Sequence, residues 1–139
     1  MGYELRTPES ETQWRDYHDI LRKVLWEARG RFGEYDSTHP DESRPGNFPK
    51  LLILDGVAIG VIRVDLQGST AWFRRVAITV ARQRSGSGKI LLKLAEEFAR
   101  ELGATRIESS VDPGATLFYQ RCEFCFCRDQ PKTEMYKVL

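Results

Sequence analysis

No apolar run in this sequence approaches the roughly 20 residues that a membrane-spanning helix needs, and the opening MGYELRTPES has no apolar leader core. Both absences predict a cytoplasmic chain without a membrane partner. Cysteine is scarce: Cys122, Cys125 and Cys127 are the only three, crowded into one stretch. An odd, clustered set makes no disulfide framework and suits a reducing compartment. The run CEFCFC also lacks a fourth cysteine or a nearby histidine to complete a tetrahedral set, so no metal is expected. Its alternation with Phe124 and Phe126 predicts a strand carrying buried structural thiols. An excess of one charge is missing as well, since 21 Lys and Arg stand against 20 Asp and Glu. That balance excludes the basic surplus by which nucleic-acid-binding domains attract phosphate backbones. Any basic site must therefore be local.

What is present reads as one domain over residues 1–139, with 41% hydrophobic and 29% charged residues, long enough to bury a core without staples. YELR is a short strand candidate. Ser10 and Gln13 then form a capping-box pair opening a helix whose apolar stripe is Trp14, Tyr17, Leu21, Val24, Leu25 and Ala28. From Gly30 to Pro49 the sequence turns to Gly, Pro, Asp and Ser without periodicity, a long loop of the kind that faces substrates. KLLILDGVAIGVIRVDL places two strands about Asp55-Gly56, a strong hairpin signal, and STAWFRRVAITV adds a third strand. A helix over 88–102 buries Ile90, Leu91, Leu94, Ala95, Phe98 and Leu102 and stops at Gly103. TRIESSV returns as a strand, which makes that helix a crossover between strands lying side by side. A short helix, ATLFYQRC, and two strands, FCFCR and EMYKV, close an α+β chain.

The chemistry concentrates where RQRSGSGK meets the crossover helix. A helix N-terminus offers unpaired N–H groups and partial positive charge, so a phosphate compound is the expected ligand. A P-loop is excluded because Ile90 follows Gly88-Lys89 and Gln83 holds the leading glycine position. A dinucleotide loop is excluded because Leu91 stands where the third glycine belongs. The stretch fits Q/R-x-x-G-x-G/A, read as Gln83-Arg84-Ser85-Gly86-Ser87-Gly88, and resembles the acyl-coenzyme-A-binding motif of the GCN5-related N-acetyltransferase (GNAT) superfamily. DPGATLFYQRCEF resembles the later segment of that family, N-x-x-A-x-x-F-Y-x-x-x-G-F, with Asp112, Ala115, Phe118, Tyr119 and Phe124 in register. ILRKVLWEARGRFGEYDSTHPDE is similar to the N-terminal segment of one subgroup, with Arg22, Glu27, Glu34 and Asp36 in comparable places.

The resemblance implies a mixed sheet of about seven strands flanked by about four helices, splayed near the glycine loop. It implies N-acetyl transfer from acetyl-coenzyme A to a primary amine, on a small molecule or a polypeptide, by direct attack in a ternary complex. The pyrophosphate would lie on residues 84–89, with Arg84 and Lys89 adding charge, and the pantetheine arm along Val76, Ala77 and Ile78. Tyr119 would be the acid for the departing thiolate, and a backbone N–H near Ile78 the oxyanion donor. The base is open. STAWFRRVAIT has no carboxylate where many members of that family place a Glu, leaving Asp65, Glu34, Asp36, His39 or water. Asp112 replaces the usual Asn, and Glu123 replaces a Gly, requiring a non-glycine residue to hold a turn. These departures support an alternative, a non-catalytic acyl-coenzyme-A sensor or docking domain. A homodimer is left open.

Overall fold

Ser10 accepts a hydrogen bond from the Gln13 amide while the Gln13 side chain accepts from the Ser10 amide, so the expected capping box starts α1 (Glu11–Leu21). The structure is a computed structural model that describes residues 2–128 and 134–139. After Leu21 the chain widens into a π-helical stretch, Arg22–Trp26, and tightens into a 3-10 turn, Glu27–Arg29. The helical stripe therefore does not run unbroken to Ala28. Wide turns of this kind occur often at functional sites, and this one brings Val24, Leu25 and Ala28 to the edge of a cleft.

The strands are β1 (Tyr3–Arg6), β2 (Asn47–Leu54), β3 (Val57–Gln67), β4 (Thr70–Ile78), β5 (Arg106–Ser110), β6 (Cys125–Phe126) and β7 (Glu134–Val138). They form one seven-stranded sheet in the order β1-β2-β3-β4-β5-β7-β6. The hairpin between β2 and β3 turns on Asp55 and Gly56, both at positive φ (48° and 86°), as a tight primed turn requires. Its first strand starts at Asn47, three residues before the apolar run, because pairing with Asp65 to Arg63 extends it. The crossover helix is α2 (Ser87–Glu101). It ends as expected, with Gly103 at φ 89° and the Ala104 amide donating back to the Ala99 carbonyl. It returns the chain to β5, parallel to β4. With α3 (Thr116–Arg121) the described residues hold three α-helices; the segment after Leu21 extends the first rather than starting another.

Alternation along the strands feeds two cores, one on each face of the sheet. Leu51, Ile53, Val61 and Ala77 pack under Tyr17, Ile20 and Leu21 of α1. Leu52, Ile62, Val64, Phe73 and Ile107 pack under Leu91, Leu92, Ala95 and Ala99 of α2. Of the cysteines only Cys122 touches a core, packed half-buried against the α2-side cluster. Cys125 is exposed, and Cys122 and Cys127 are half-buried, all as free thiols. The expectation of buried thiols fails for Cys125 because, among the described residues, β6 is a two-residue outermost strand with a single neighbour, β7, and both its residues are exposed.

Glu123 sits at φ 71° after α3, the left-handed conformation that its place in the sequence demanded. Its amide donates to the Gln120 carbonyl, and the next amide, of Phe124, to the Tyr119 carbonyl, closing the helix. A non-glycine residue there costs about 1–2 kcal/mol. Its ion pair with Lys137, at 3.6 Å with a Glu side chain 84% exposed, offsets little of that. Glu123→Gly should therefore raise stability by about 0.5–1 kcal/mol after the extra chain entropy of glycine. Chemical denaturation checks this, and a destabilised variant would contradict it.

Candidate active site

Parallel pairing between β4 and β5 covers only Thr70 to Trp72 against Arg106 to Glu108, after which the strands part. The Ser109 hydroxyl still donates to the Phe73 carbonyl at 2.9 Å. Beyond it, the edge of β4 that faces away from β3 has no strand partner among the described residues. The opening is a cleft of about 880 Å³, lined on this side by Arg74, Arg75, Val76, Ala77 and Ile78.

The glycine loop closes one end. Arg84 and Gly86 both have positive φ, 61° and 87°, which bends the chain sharply into α2. Gly86 is the N-cap and, without a side chain, offers no capping oxygen. The first helical bond runs from the Ile90 amide to the Gly86 carbonyl, so the amides of Ser87, Gly88 and Lys89 precede the ladder. Gly88 is needed for a different reason: a Cβ there would stand 3.1 Å from Cζ of Phe118, on α3. The loop is tied down internally. Gln83 donates from Nε2 to the Ile78 carbonyl at 2.9 Å, and the Ser87 hydroxyl is within 3.1 Å of Tyr3 Oη and 3.2 Å of Ser85 Oγ.

The opposite wall carries Ser109, Asp112, Ala115, Phe118 and Tyr119. Tyr119 is only 6% exposed, held edge-on between Phe118 and Phe124 at centroid distances of 5.5 and 5.2 Å. Burial pushes its phenol up to about 12, and the polar Ser109 side chain nearby opposes that only in part. Tyr119 therefore stays a protonated donor across the physiological range. Asp112 forms an ion pair with Arg29, which bridges the two sides of the cleft.

At the far end from the loop lies a charged cluster that the sequence reading did not assemble. Arg63 holds Asp65 through two bonds, Nε to Oδ1 at 2.8 Å and Nη2 to Oδ2 at 2.9 Å, and reaches Glu42 at 3.4 Å. Glu42 also accepts from Tyr17 Oη at 2.8 Å, and Arg74 Nε lies 3.2 Å from Asp65. Arg75 Nη1 lies 2.6 Å from Glu42 Oε1, a second ion pair to the same carboxylate. Next to this cluster, the His18 ring nitrogen Nδ1 and Tyr35 Oη share a hydrogen bond, with burial lowering the imidazole and raising the phenol to about 12.

A bulge creates the cluster's geometry. Val61 pairs with Ala77 but Arg63 with Arg74, so Arg75 and Val76 together oppose Ile62. Arg75 takes φ 57° as the bulged residue. One signal was available beforehand: Arg63 and Asp65, two residues apart in a strand otherwise apolar, must share a face, and a buried charge demands a partner. Glu42, arriving from an aperiodic loop, left no such trace.

The model for the acetyltransferase (GNAT) family matches residues 3–124. The chain belongs to the GNAT family. Its fold matches that of the PaiA N-acetyltransferase from Thermoplasma acidophilum, solved with coenzyme A, at 19% identity, full coverage of both chains and a TM-score of 0.79. A GNAT acetyltransferase from Staphylococcus aureus superposes at 14% identity over 99% of each chain, with a TM-score of 0.77. An aminoglycoside 6'-N-acetyltransferase, also solved with coenzyme A, gives a TM-score of 0.80 at 14% identity, covering 99% of this chain and 97% of its own. A search of curated proteins by sequence finds no match.

Against this GNAT frame, Val76, Ala77, Ile78, Gln83, Arg84, Gly88, Asp112, Ala115, Phe118 and Tyr119 all line one cleft. Ser85, Gly86, Ser87 and Lys89 form the loop and helix start behind that lining. The acceptor-side carboxylates are elsewhere. Glu27 pairs with Arg22 at 3.2 Å and Glu34 with Arg31 at 3.1 Å. Asp36 caps Thr38, whose hydroxyl and amide hold its carboxyl below the ordinary range. Asp65 is buried in the charged cluster. None of these four lines the cleft.

Proposed function

We propose that this GNAT chain transfers an acetyl group from acetyl-coenzyme A to a primary amine, carried on a small molecule or a polypeptide, by direct attack within a ternary complex. The observation that carries the reading is the conjunction of an unpaired strand edge, an uncapped helix start and a buried phenol around one cleft. These features fit the donor. The amides of residues 87–89, with Arg84 and Lys89 nearby, suit a pyrophosphate, and the open edge of Val76 to Ile78 suits amide groups that pair as an added strand would. The donor supplies a thioester carbonyl and a thiol leaving group.

The chain's own residues supply position and a proton. The amine nitrogen forms a bond to the carbonyl carbon, the carbon–sulfur bond breaks with its electron pair on sulfur, and Tyr119 gives that sulfur a proton. Solvent returns a proton to the phenolate. The proton of the attacking amine passes to water, since Asp112 is the single carboxylate lining the cleft among the described residues and it is paired with Arg29. A backbone N–H near Ile78 is the proposed oxyanion donor.

Thiol release in the presence of acetyl-coenzyme A and a panel of amines tests the reaction, and calorimetric titration with coenzyme A tests the donor site. Gly86→Glu adds a carboxylate at the helix start, where nothing lies within 4 Å of its Cβ, although φ 87° strains any side chain. It should weaken coenzyme A binding about tenfold or more, about 1.4 kcal/mol. Unchanged affinity would sink the phosphate assignment. One observation favours a second reading, an acyl-coenzyme-A sensor: among the described residues no free carboxylate faces the cleft to act as a base. Tight coenzyme A binding with no turnover of any amine would select it.

A further inference from the structure

The charged lining of the cleft is one-sided. Among the described residues it consists of Arg29, Arg63, Arg74, Arg75, Arg84 and Asp112. Arg29 and Asp112 neutralise each other, and Arg84 belongs to the glycine loop. That leaves Arg63, Arg74 and Arg75 around two buried carboxylates, Glu42 and Asp65. Among the described residues, three guanidiniums over two carboxylates leave one positive charge in surplus.

The surplus has a location. Arg63, 4% exposed, is committed to both carboxylates. Arg75, held in the left-handed conformation by the bulge, is ion-paired to Glu42 at 2.6 Å. Arg74 reaches Asp65 through Nε, and its side chain is 39% exposed. The guanidiniums of Arg74 and Arg75 lie 5.0 and 5.5 Å from the rings of Trp72 and Trp26, which restrain them. Arg74, which lines the cleft and whose one ion pair among the described residues is made through Nε, forms an anion seat beside the strand edge where the amine must arrive.

We infer that the acceptor is an amine that also carries a carboxylate, such as an amino acid or a short acidic derivative, anchored by Arg74. A single negative charge matches the single surplus positive one. A polyamine would add cations to a site already positive, whereas the same field disfavours the ammonium form of a nearby amine and so favours the nucleophile. This inference rests on the acetyl-transfer reading for the amine, but the anion seat can be tested without turnover.

The test uses the full chain saturated with coenzyme A and matched products: N-acetyl amino acids against the same compounds with the carboxylate converted to an amide, titrated calorimetrically. At least one carboxylate should bind about tenfold or more tightly than its amide. In Arg74→Gln that preference should fall towards unity while coenzyme A affinity is retained; Arg75→Lys, which keeps the charge in the bulge, should keep it. Amides binding as well as acids, no binding of either, or a preference unaltered in Arg74→Gln would each overturn the inference. A parallel turnover panel of amino acids, amino amides and polyamines separates it from the parent reading. Transfer to polyamines at higher kcat/KM than to any carboxylate overturns the inference and leaves acetyl transfer standing. Carboxylate-selective binding without turnover upholds the seat and removes acetyl transfer.

Discussion

Tyr119→Phe is expected to lower kcat by about a hundredfold or more while coenzyme A affinity stays within about twofold. The hydroxyl is buried beside Ser109 at the wall of the cleft, and burial holds its pKa near 12. Such a phenol is always charged with its proton at working pH, so wild-type kcat should show no alkaline fall below about pH 10 from this group. The aromatic contacts with Phe118 and Phe124 survive the substitution, so folding should be little altered. Two measurements separate a proton donor from a structural hydroxyl. Donor thioesters whose thiols are more acidic need less help in leaving and should lose less activity in the variant. A purely structural tyrosine would instead lower stability and affinity with kcat unmoved.

How far the sequence could reach follows from the range of each interaction. The capping box at Ser10 and Gln13, the Asp55-Gly56 turn and the Gly103 stop depend on neighbours a few residues away, and all stand as written in the chain. The crossover from β4 to β5 was legible because parallel neighbours need a helix between them. The loop and tyrosine motifs lie some thirty residues apart but on the two walls of one splay, so a shared cleft was foreseeable once the strand order was. The point where β4 and β5 part was not, because it depends on register. Nor was the bulge at Arg75: a non-glycine residue in the left-handed region leaves no local signature. Cys125 shows the converse failure, an alternating pattern that reads as half-buried but lies on an uncovered edge. The acceptor end rests on such long-range facts, since Glu42 meets Arg63 and Tyr17 across 21 and 25 residues of chain. A carboxylate in an irregular loop looks solvated until the partner strand is in place.

Glu42→Gln should be the most destabilising single substitution in the polar part of this molecule. Its carboxylate, on a side chain 7% exposed, is the shared counter-ion of Arg63 and Arg75 and the acceptor for Tyr17. Removing its charge leaves two guanidiniums in the interior with only Asp65 between them, and breaking a buried pair in this way costs about 3–5 kcal/mol. For a chain of 139 residues that corresponds to a fall in Tm of roughly 10–20 °C. Glu34→Gln is the control: its pair with Arg31 is exposed on both sides, and its loss should change stability by less than about 0.5 kcal/mol. A Glu42 variant as stable as the Glu34 variant would mean that the cluster is solvated rather than buried. The substitution also bears on specificity. Arg75 loses the ion pair that holds it at the bulge, and the surplus positive charge at the acceptor end rises by one. A ligand carboxylate should then stabilise the variant more than the wild type in thermal unfolding with coenzyme A present, because it restores the charge that Glu42 supplied.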